Sequence, residues 1–475
     1  MKIKKDKVKI ITLGCSKNLV DSEFIMSQLS AGDIQLVEDE RDAETVLINT
    51  CGFIESAKKE SIDTIIRAVK LKKEKKLKNV FVAGCLSDRY KDDLEKEIPE
   101  VDKYFGATDK KKTVIDILNE FGVNYKIDLL GERILTTPSH FSYLKISEGC
   151  NNPCSFCAIP IMRGKHVSKP MEQILMEAQS LASKGVKELI VIGQDTTYWG
   201  FDLTNKRDIS VLLSELAKIK GFEWIRLMYA YPSRFPVDLI DTIKNNESMC
   251  KYLDMPIQHI SDNVLKSMRR GITKKTTMDL LEKIRVQIPG IAMRTTLITG
   301  YPDETEKDFE EMLTLVKEYK FDRLGVFTYS HEDDTHAKTL PDRIPYREKL
   351  KRQKLLLEVQ REISIEANRD SVGKTFKVII DRHEDNGTAK GQFIGRTYKD
   401  APEIDQEVYI TVPEFEHVDE SVNMPAISFQ KHPGLLMPAE LIEAEKSVQN
   451  VRPGNFYNVK INDFEEFDLF GEIVA

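Results

Sequence analysis

The sequence lacks any apolar run long enough to cross a bilayer. Its basic start leads directly into a strand-like stretch, without the apolar core of a signal peptide. Internal repeats and low-complexity tracts are also missing. Hydrophobic residues make up 41% and charged residues 31%, the balance of ordinary globular proteins. These observations predict a cytoplasmic protein, and 475 residues suffice for about three domains.

Cysteine is scarce, and none of the eight histidines shows a metal-ligand spacing. Because the cytoplasm keeps thiols reduced, the seven cysteines are not expected to form disulfides. Metal binding or catalysis then explains any cysteines that group together. Cys250 stands apart, just before a predicted strand, and is interpreted as a buried or incidental thiol. The other six are Cys15, Cys51, Cys85, Cys150, Cys154 and Cys157.

The first 120 residues alternate apolar strands with amphipathic helices, which predicts a parallel sheet covered by helices. Cys15, Cys51 and Cys85 each follow one of its strands. Carboxyl ends of parallel strands lie along one edge of a sheet, where ligands bind, so these cysteines are expected to converge. The alternative, a small buried hydrophobe, is less favoured at three matched positions. The predicted strands are Val8–Leu13, Thr45–Asn49 and Asn79–Ala83.

A second, longer series of strands and helices starts near Phe141. It predicts a partial or full barrel whose chemistry lies at the carboxyl ends of the strands. A charged helix from about Tyr346 to Asn368 closes the series. The predicted strands are Tyr143–Ile146, Glu188–Ile192, Trp224–Met228, Tyr252–Met255, Ala292–Ile298 and Leu324–Thr328.

After Gly373 the pattern changes to short β runs, which predict a small β-barrel. Between Pro413 and Gln449 the strand pattern is interrupted by a stretch with four prolines, which we interpret as an inserted loop. The predicted strands are Phe376–Ile380, Gly391–Thr397, Glu407–Val412, Phe456–Ile461 and Phe467–Ile473.

The strongest chemical signal is Cys150-Asn-Asn-Pro-Cys154-Ser-Phe-Cys157, just beyond the first strand of the second series. Three thiolates at this spacing can hold three irons of a [4Fe–4S] cube and leave the fourth iron open. A catalytic metal site needs such an open position. Zinc is the alternative, but structural zinc sites take four ligands, and the nearest fourth candidate is His166.

This spacing is the signature of the radical S-adenosylmethionine (SAM) superfamily, and the chain resembles one family within it, the methylthiotransferases. Three segments are similar to the N-terminal motifs of that family: Leu13–Glu23, Asn49–Phe53 and Ala83–Leu86. The resemblance implies an α/β protein with an N-terminal methylthiotransferase domain, a central radical SAM (β/α) barrel and a C-terminal all-β TRAM barrel. The implied bounds are 1–125, 136–370 and 373–475, with an insertion near 413–449.

The resemblance also implies SAM and two [4Fe–4S] clusters as cofactors. One cluster chelates SAM at its open iron and cleaves it to a 5′-deoxyadenosyl radical. The other, auxiliary cluster carries the sulfur that enters the product. The implied ligands are Cys150, Cys154 and Cys157, hereafter the catalytic set, and Cys15, Cys51 and Cys85, the auxiliary set.

Two turns that follow strands are candidates for SAM binding, and the second resembles the glycine-containing SAM-binding turn of the superfamily. The alternative for each is an ordinary strand-to-helix turn, with Thr299 or Asp303 near the helix start. Arg163 is expected to pair with a carboxylate or to form a surface ion pair. The SAM candidates are Gly193, Gln194, Asp195, Gly300 and Glu304.

Two branches of the family modify different macromolecules. Gln194–Thr196, Tyr329–Glu332 and Ile394–Asp405 are similar to the branch that modifies the β-carbon of an aspartate in small-subunit ribosomal protein S-twelve. The charge distribution favours the same branch. Residues 371–475 contain 10 Lys+Arg against 19 Asp+Glu, a net charge of −9 that leaves +2 for the rest of the chain. An acidic barrel repels phosphate backbones and complements a basic ribosomal protein.

Two other functions stay open. A tRNA adenosine methylthiotransferase would bind tRNA with an affinity that falls steeply with salt. A non-catalytic, metal-stabilised binding module would unfold on chelation without losing any SAM-dependent chemistry. The favoured function implies two partners, the basic ribosomal protein and an electron donor such as flavodoxin or ferredoxin, and neither a membrane nor tRNA is expected as a partner.

Overall fold

The computed structural model describes residues 6–129, 131–384, 392–411 and 451–474. The predicted insertion at 413–449 lies outside these residues. The chain divides into two compact units, Met1–Gln360 and Arg361–Ala475. None of the helices in the described ranges combines the length and apolar character needed to span a bilayer.

The first unit begins with a parallel sheet of five strands. The strands are β1 (Lys7–Thr12), β2 (Gln35–Leu36), β3 (Thr45–Thr50), β4 (Asn79–Gly84) and β5 (Lys103–Tyr104), in the order β2-β1-β3-β4-β5. The helices between them are α1 (Ser16–Ala31), α2 (Glu55–Lys73), α3 (Cys85–Arg89), α4 (Lys91–Glu97) and α5 (Lys110–Glu120). The three predicted strands are confirmed, while β2 and β5 are too short to leave a sequence pattern.

Helices cover both faces of this sheet, which explains why all six residues of β3 are buried. Ile48 packs with Ile65 of α2 on one face. Leu47, the preceding residue, packs with Leu29 of α1 and Ile117 of α5 on the other. The alternation of the strand thus supplies two cores, one for each layer of helices.

The second sheet of the first unit has six parallel strands in chain order. They are β6 (Phe141–Lys145), β9 (Glu188–Ile192), β10 (Trp224–Leu227), β11 (Met249–Asp254), β12 (Ala292–Thr299) and β13 (Arg323–Thr328). All six predicted strands are confirmed. Because β6 and β13 are the two edges of an open sheet, the partial barrel is the form observed. A two-stranded antiparallel pair, β7 (Ser147–Glu148) and β8 (Val167–Ser168), lies beside the cysteine loop.

The helices that accompany this sheet, in chain order, are α6 (Ile159–Arg163), α7 (Met171–Ser183), α8 (Phe201–Thr204), α9 (Ile209–Leu216), α10 (Asp238–Asn245), α11 (Asp262–Ser267), α12 (Lys274–Gln287), α13 (Glu306–Tyr319) and α14 (Tyr346–Arg369). Cys250 corrects one prediction. It lies inside β11 instead of before it, because the exposed Lys251 interrupts the apolar run and hides the true start of the strand. Its burial is as predicted.

The second unit contains the predicted β-barrel. Its strands are β14 (Thr375–Glu384), β15 (Gln392–Thr397), β16 (Val408–Thr411), β17 (Phe456–Phe464) and β18 (Leu469–Val474), and they close in the order β14-β15-β16-β18-β17. Alternate residues such as Val378, Ile380 and Val459 fill the interior. Closure leaves the barrel without an exposed strand edge.

The packing of α2 on β3 can be tested with two adjacent isoleucines of α2. Ile65 is fully buried, whereas Ile66 is 53% exposed. Ile65→Ala is expected to lower the free energy of unfolding by about 2–5 kcal/mol through cavity formation. Ile66→Ala, the matched control, should change it by less than about 0.5 kcal/mol. Hydrogen exchange of the β3 amides measures both, and equal exchange rates in the two variants would contradict this packing.

Candidate active site

The auxiliary set lies at the carboxyl ends of three neighbouring strands. Cys15 follows β1 at the start of α1, Cys51 follows β3, and Cys85 begins α3 directly after β4. Because β1, β3 and β4 are adjacent, the three thiols reach one edge of the sheet. Gly14 shows how closely they approach. It has a φ of +88°, and a Cβ there would lie 2.9 Å from the sulfur of Cys51, so glycine is required.

Two buried polar side chains, those of Asn18 and Ser61, fix the loops that carry these thiols. Asn18 donates to the carbonyls of Leu13, at 2.9 Å, and Thr50, at 3.0 Å, which joins the ends of β1 and β3. The hydroxyl of Ser61 accepts from the amide of Cys51 at 3.1 Å and donates to its carbonyl at 3.0 Å. The positions of the cysteines are therefore set by hydrogen bonds of the surrounding backbone.

The catalytic set lies on a loop between β7 and α6. The loop is held by a bond from the Cys150 amide to the Gly164 carbonyl at 3.2 Å. Each sulfur faces at least one donor. The amide of Asn152 lies 3.4 Å from the sulfur of Cys150, and that of Ile159 lies 3.5 Å from the sulfur of Cys157. Donors around a metal-binding sulfur stabilise its thiolate form.

Cys154 is approached by two side chains that the sequence did not reveal. Arg270 places a guanidinium nitrogen 3.3 Å from its sulfur, and the Tyr231 hydroxyl lies 3.4 Å away. Arg270 also stacks on the Tyr231 ring, 4.2 Å from its centre. Tyr231 follows β10, so the strand-end argument applied to the cysteines could have identified it. Arg270 follows a helix, and no local pattern marks it.

All six cysteines of the two sets line one cavity of about 490 Å³. The predicted convergence of the auxiliary set at one sheet edge is confirmed. The structure adds that the catalytic set lines the same cavity. Of the SAM candidates, Gln194 lines this cavity. Its side-chain oxygen is buried without a hydrogen-bond partner among the described residues, so an acceptor is available to a bound cofactor.

The remaining SAM candidates lie further from the cavity. Asp195 is buried behind it and accepts from the side chain of the lining residue Asn152 at 2.8 Å. A Cβ at Gly193 would lie 2.7 Å from the Ser147 hydroxyl. The structure thus brings Gly193 and Asp195 next to the cavity without placing either in its lining.

Gly300 and Glu304 do not line the cavity. A carboxylate oxygen of Glu304 accepts from the Gly300 amide at 2.9 Å, and the other accepts from Arg352 at 2.5 Å. The following helix is capped by Thr305. This geometry favours the strand-to-helix turn that the sequence left as the alternative, and a SAM contact at these two residues stays a prediction.

Arg163 pairs with carboxylates, and it does so in the interior instead of at the surface. It donates to Asp21 at 2.7 Å and to Glu148 at 3.3 Å. It also donates to the sulfur of Cys85 at 3.1 Å and to the side-chain oxygen of Asn18. Arg163 follows the catalytic set in sequence but contacts a cysteine of the auxiliary set.

Burial raises the pKa of four of the six thiols. The pKa of Cys51 and that of Cys150 rise to about 11, chiefly through desolvation, and neighbouring thiolates add to both. Desolvation also raises the pKa of Cys85 and of Cys157. At neutral pH these thiols are protonated unless positive charge is bound, so metal binding here would release protons.

The two sets fit iron–sulfur clusters. No three His, Cys, Asp or Glu side chains in the described ranges lie close enough together to hold a single metal ion. The cysteines of a cube each bind a different iron, so they need not meet at one point. Three thiols per set, donors to the sulfurs of the catalytic set and of Cys85, and a shared cavity match what two cubes require.

Family models match three parts of the chain. They are the uncharacterized protein family UPF0004 at residues 7–106, the radical SAM superfamily at residues 144–316 and the TRAM domain at residues 372–424. Among solved structures, the radical S-adenosylmethionine methyltransferase TsrM from Kitasatospora setae, with tryptophan and a SAM analogue bound, has a TM-score of 0.52 at 13% identity. The match covers 68% of this chain and 73% of that one, and it shows a shared fold.

Curated relatives extend over the whole chain. The ribosomal protein uS12 methylthiotransferase RimO of Cytophaga hutchinsonii is 49% identical over 99% of this chain and 98% of its own length. That of Chloroherpeton thalassium is 49% identical over the full length of both proteins. That of Porphyromonas gingivalis is 43% identical over 99% of this chain and all of its own.

The fold and the superfamily match define the class, a radical SAM enzyme. Within that class, the chain belongs to the RimO family of methylthiotransferases.

Gly149 tests how tightly the catalytic set is positioned. It has a φ of +73°, and a Cβ there would clash with the carbonyls of Lys165 and Gly164. Gly149→Ala should displace Cys150, so that the anaerobically reconstituted protein keeps only the iron bound by the auxiliary set. The control is Gly185→Ala, which shares the positive φ but has open space around the new Cβ. Equal iron contents in the two variants would contradict the positioning role.

Proposed function

We propose that this protein transfers a methylthio group to the β-carbon of an aspartate in ribosomal protein uS12 (S-twelve), with SAM and two [4Fe–4S] clusters as cofactors. The observation that carries the proposal is the shared cavity, because it gives a radical generator and a sulfur source access to the same substrate carbon. The names of the curated relatives support the choice of substrate. The acidic C-terminal segment supports it independently, since a tRNA-binding barrel needs a basic surface.

The catalytic set would hold the cluster that cleaves SAM, and the auxiliary set would hold the cluster that supplies the methylthio group. When bound, these cofactors provide a 5′-deoxyadenosyl radical for hydrogen abstraction and the sulfur for insertion. The chain itself orients the reactants. Arg270 and Tyr231 position the sulfur of Cys154, and Arg163 positions that of Cys85. Gln194 offers its unpaired buried oxygen to the amino group of SAM.

Apolar side chains keep the radical away from water. Ile54, Phe156 and Met162 line the cavity together with the cysteines. Phe53 and Phe327 also line it but are 40% and 53% exposed, so they offer an apolar contact to an entering protein segment. Excluding water protects a radical intermediate from side reactions.

Three functional segments follow from this proposal. Residues 1–125 would supply the auxiliary cluster, residues 136–370 would carry out the radical chemistry, and residues 373–475 would dock the basic substrate. A flavodoxin or ferredoxin would deliver the electron. The cytoplasm, where ribosomes are made, would be the site of action.

Mass spectrometry of anaerobic reactions tests the function. The reconstituted enzyme, SAM and a reductant would be incubated with uS12 or with tRNA. A mass gain of one methylthio group on a uS12 aspartate is expected, because the acidic segment favours a basic protein. Methylthioadenosine in tRNA, with uS12 unmodified, would assign the chain to the other branch and make the charge argument wrong.

Cysteine variants in the same assay separate the two sets. Cys154→Ala should abolish cleavage of SAM, because an incomplete ligand set does not hold the catalytic cluster. Cys15→Ala should still cleave SAM but give no methylthio product. Cys250→Ala, a change at a buried cysteine outside both sets, is the control and should retain product formation. Methylthiolated product from Cys15→Ala would contradict the role of the auxiliary set.

A further inference from the structure

One buried cation in the cavity has no ion-pair partner among the residues that the structure describes. Lys17, in the first turn of α1, is 8% exposed and lines the cavity together with both cysteine sets. Its ammonium lies over the ring of Tyr229, 2.9 Å from the ring centre. No carboxylate in the described part of the chain pairs with it. A buried ammonium without a counter-charge is unfavourable, so this site lacks one negative charge.

Two further features of the surroundings of Lys17 are energetically unfavourable. The first turn of a helix carries partial positive charge, and this one contains no acidic residue. Tyr229, whose ring lies under the Lys17 ammonium, has a φ of +61°, a conformation that non-glycine residues rarely adopt. Its amide is held there by Asp254 at 3.0 Å. Local strain of this kind concentrates at ligand-binding positions.

The other two cationic side chains that line the cavity already have hydrogen-bond partners within the chain. Arg163 contacts Asp21, Glu148 and Cys85. Arg270 contacts Cys154 and donates to the carbonyl of Pro256 at 2.5 Å. One arginine therefore contacts a sulfur of each cysteine set, whereas Lys17 has no described contact with a sulfur.

None of the described residues that line the cavity is an aspartate or a glutamate. The positive charge of Lys17 is therefore left for an anion that enters from outside the chain. The proposed substrate is an aspartate, whose side chain is such an anion.

We propose that Lys17, supported by Tyr229, forms a subsite for the carboxylate of the substrate aspartate. The inference rests on the proposed function and adds the residue that recognises the substrate. An ammonium–carboxylate pair forms a strong, charge-assisted hydrogen bond. Holding the carboxylate also places the adjacent β-carbon in the space that the two cysteine sets share. The adenine base of a tRNA substrate carries no carboxylate next to the modified carbon, so the subsite favours the aspartate.

The test compares two peptides that span the modified segment of uS12, one with the target aspartate and one with asparagine in its place. Each peptide would be titrated anaerobically into the full-length, reconstituted enzyme. Wild type is expected to bind the aspartate peptide about tenfold more tightly or better, as removing a charged hydrogen bond predicts. Lys17→Met should bind both peptides equally, at the weaker level, and Lys17→Arg should keep most of the preference. Lys59→Met, a change at an exposed lysine of α2, is the matched control.

Each alternative outcome has a distinct meaning. If Lys17→Met keeps the preference for aspartate while wild type methylthiolates the aspartate peptide, the subsite is wrong and the proposed function stands. A loss of iron, or of SAM affinity, in Lys17→Met would assign Lys17 to a cofactor and overturn the subsite. Lys17→Gln is a second neutral variant that repeats the comparison. If wild type modifies tRNA and not uS12, the proposed function fails and the aspartate subsite fails with it.

Discussion

The active-site geometry depends on one buried guanidinium. Arg163 ends the short helix that follows the catalytic set, yet it donates to Cys85 of the auxiliary set at 3.1 Å and to Asp21 of α1 at 2.7 Å. Removing one partner of a buried guanidinium is strongly destabilising, so these contacts support one another. Because they cross from one parallel sheet to the other, both sheets turn their carboxyl ends towards one cavity. A second buried cluster joins the same two sheets. Glu332, which follows β13, accepts from Lys58 of α2 at 3.1 Å and from Arg89 of α3 at 3.0 Å.

This arrangement also sets the electrostatics of the cavity. Its walls carry thiols and cations but no described carboxylate. The thiols of Cys51 and Cys150 remain neutral on their own because desolvation raises the pKa of each. Cluster-bound thiolates would add negative charge, which Arg163 and Arg270 approach directly. Lys17 lines the same cavity and has no such contact among the described residues, and this difference separates cofactor binding from substrate recognition.

Local periodicity was enough to predict the strands that carry the cysteines, since a buried parallel strand is a short apolar run with a clear end. It also predicted that Cys15, Cys51 and Cys85 share an edge. It did not predict that this edge meets the loop of Cys150, because that contact depends on long-range pairs such as Arg163 with Asp21. Arg163 shows the limit most clearly: its sequence allowed a surface pair, and only the fold buries it. The turn at Gly300 resembled a cofactor site, although its hydrogen bonds support the start of a helix.

Two clusters that face each other across one cavity should interact magnetically, which electron paramagnetic resonance can detect. The fully reduced, reconstituted enzyme would be compared with two variants that each lack one cysteine set. Two paramagnetic clusters in a cavity of about 490 Å³ should couple magnetically, so the wild-type spectrum should be broadened and should differ from the sum of the two single-cluster spectra. A wild-type spectrum equal to that sum, at full iron content, would show that the clusters are far apart and do not share one cavity.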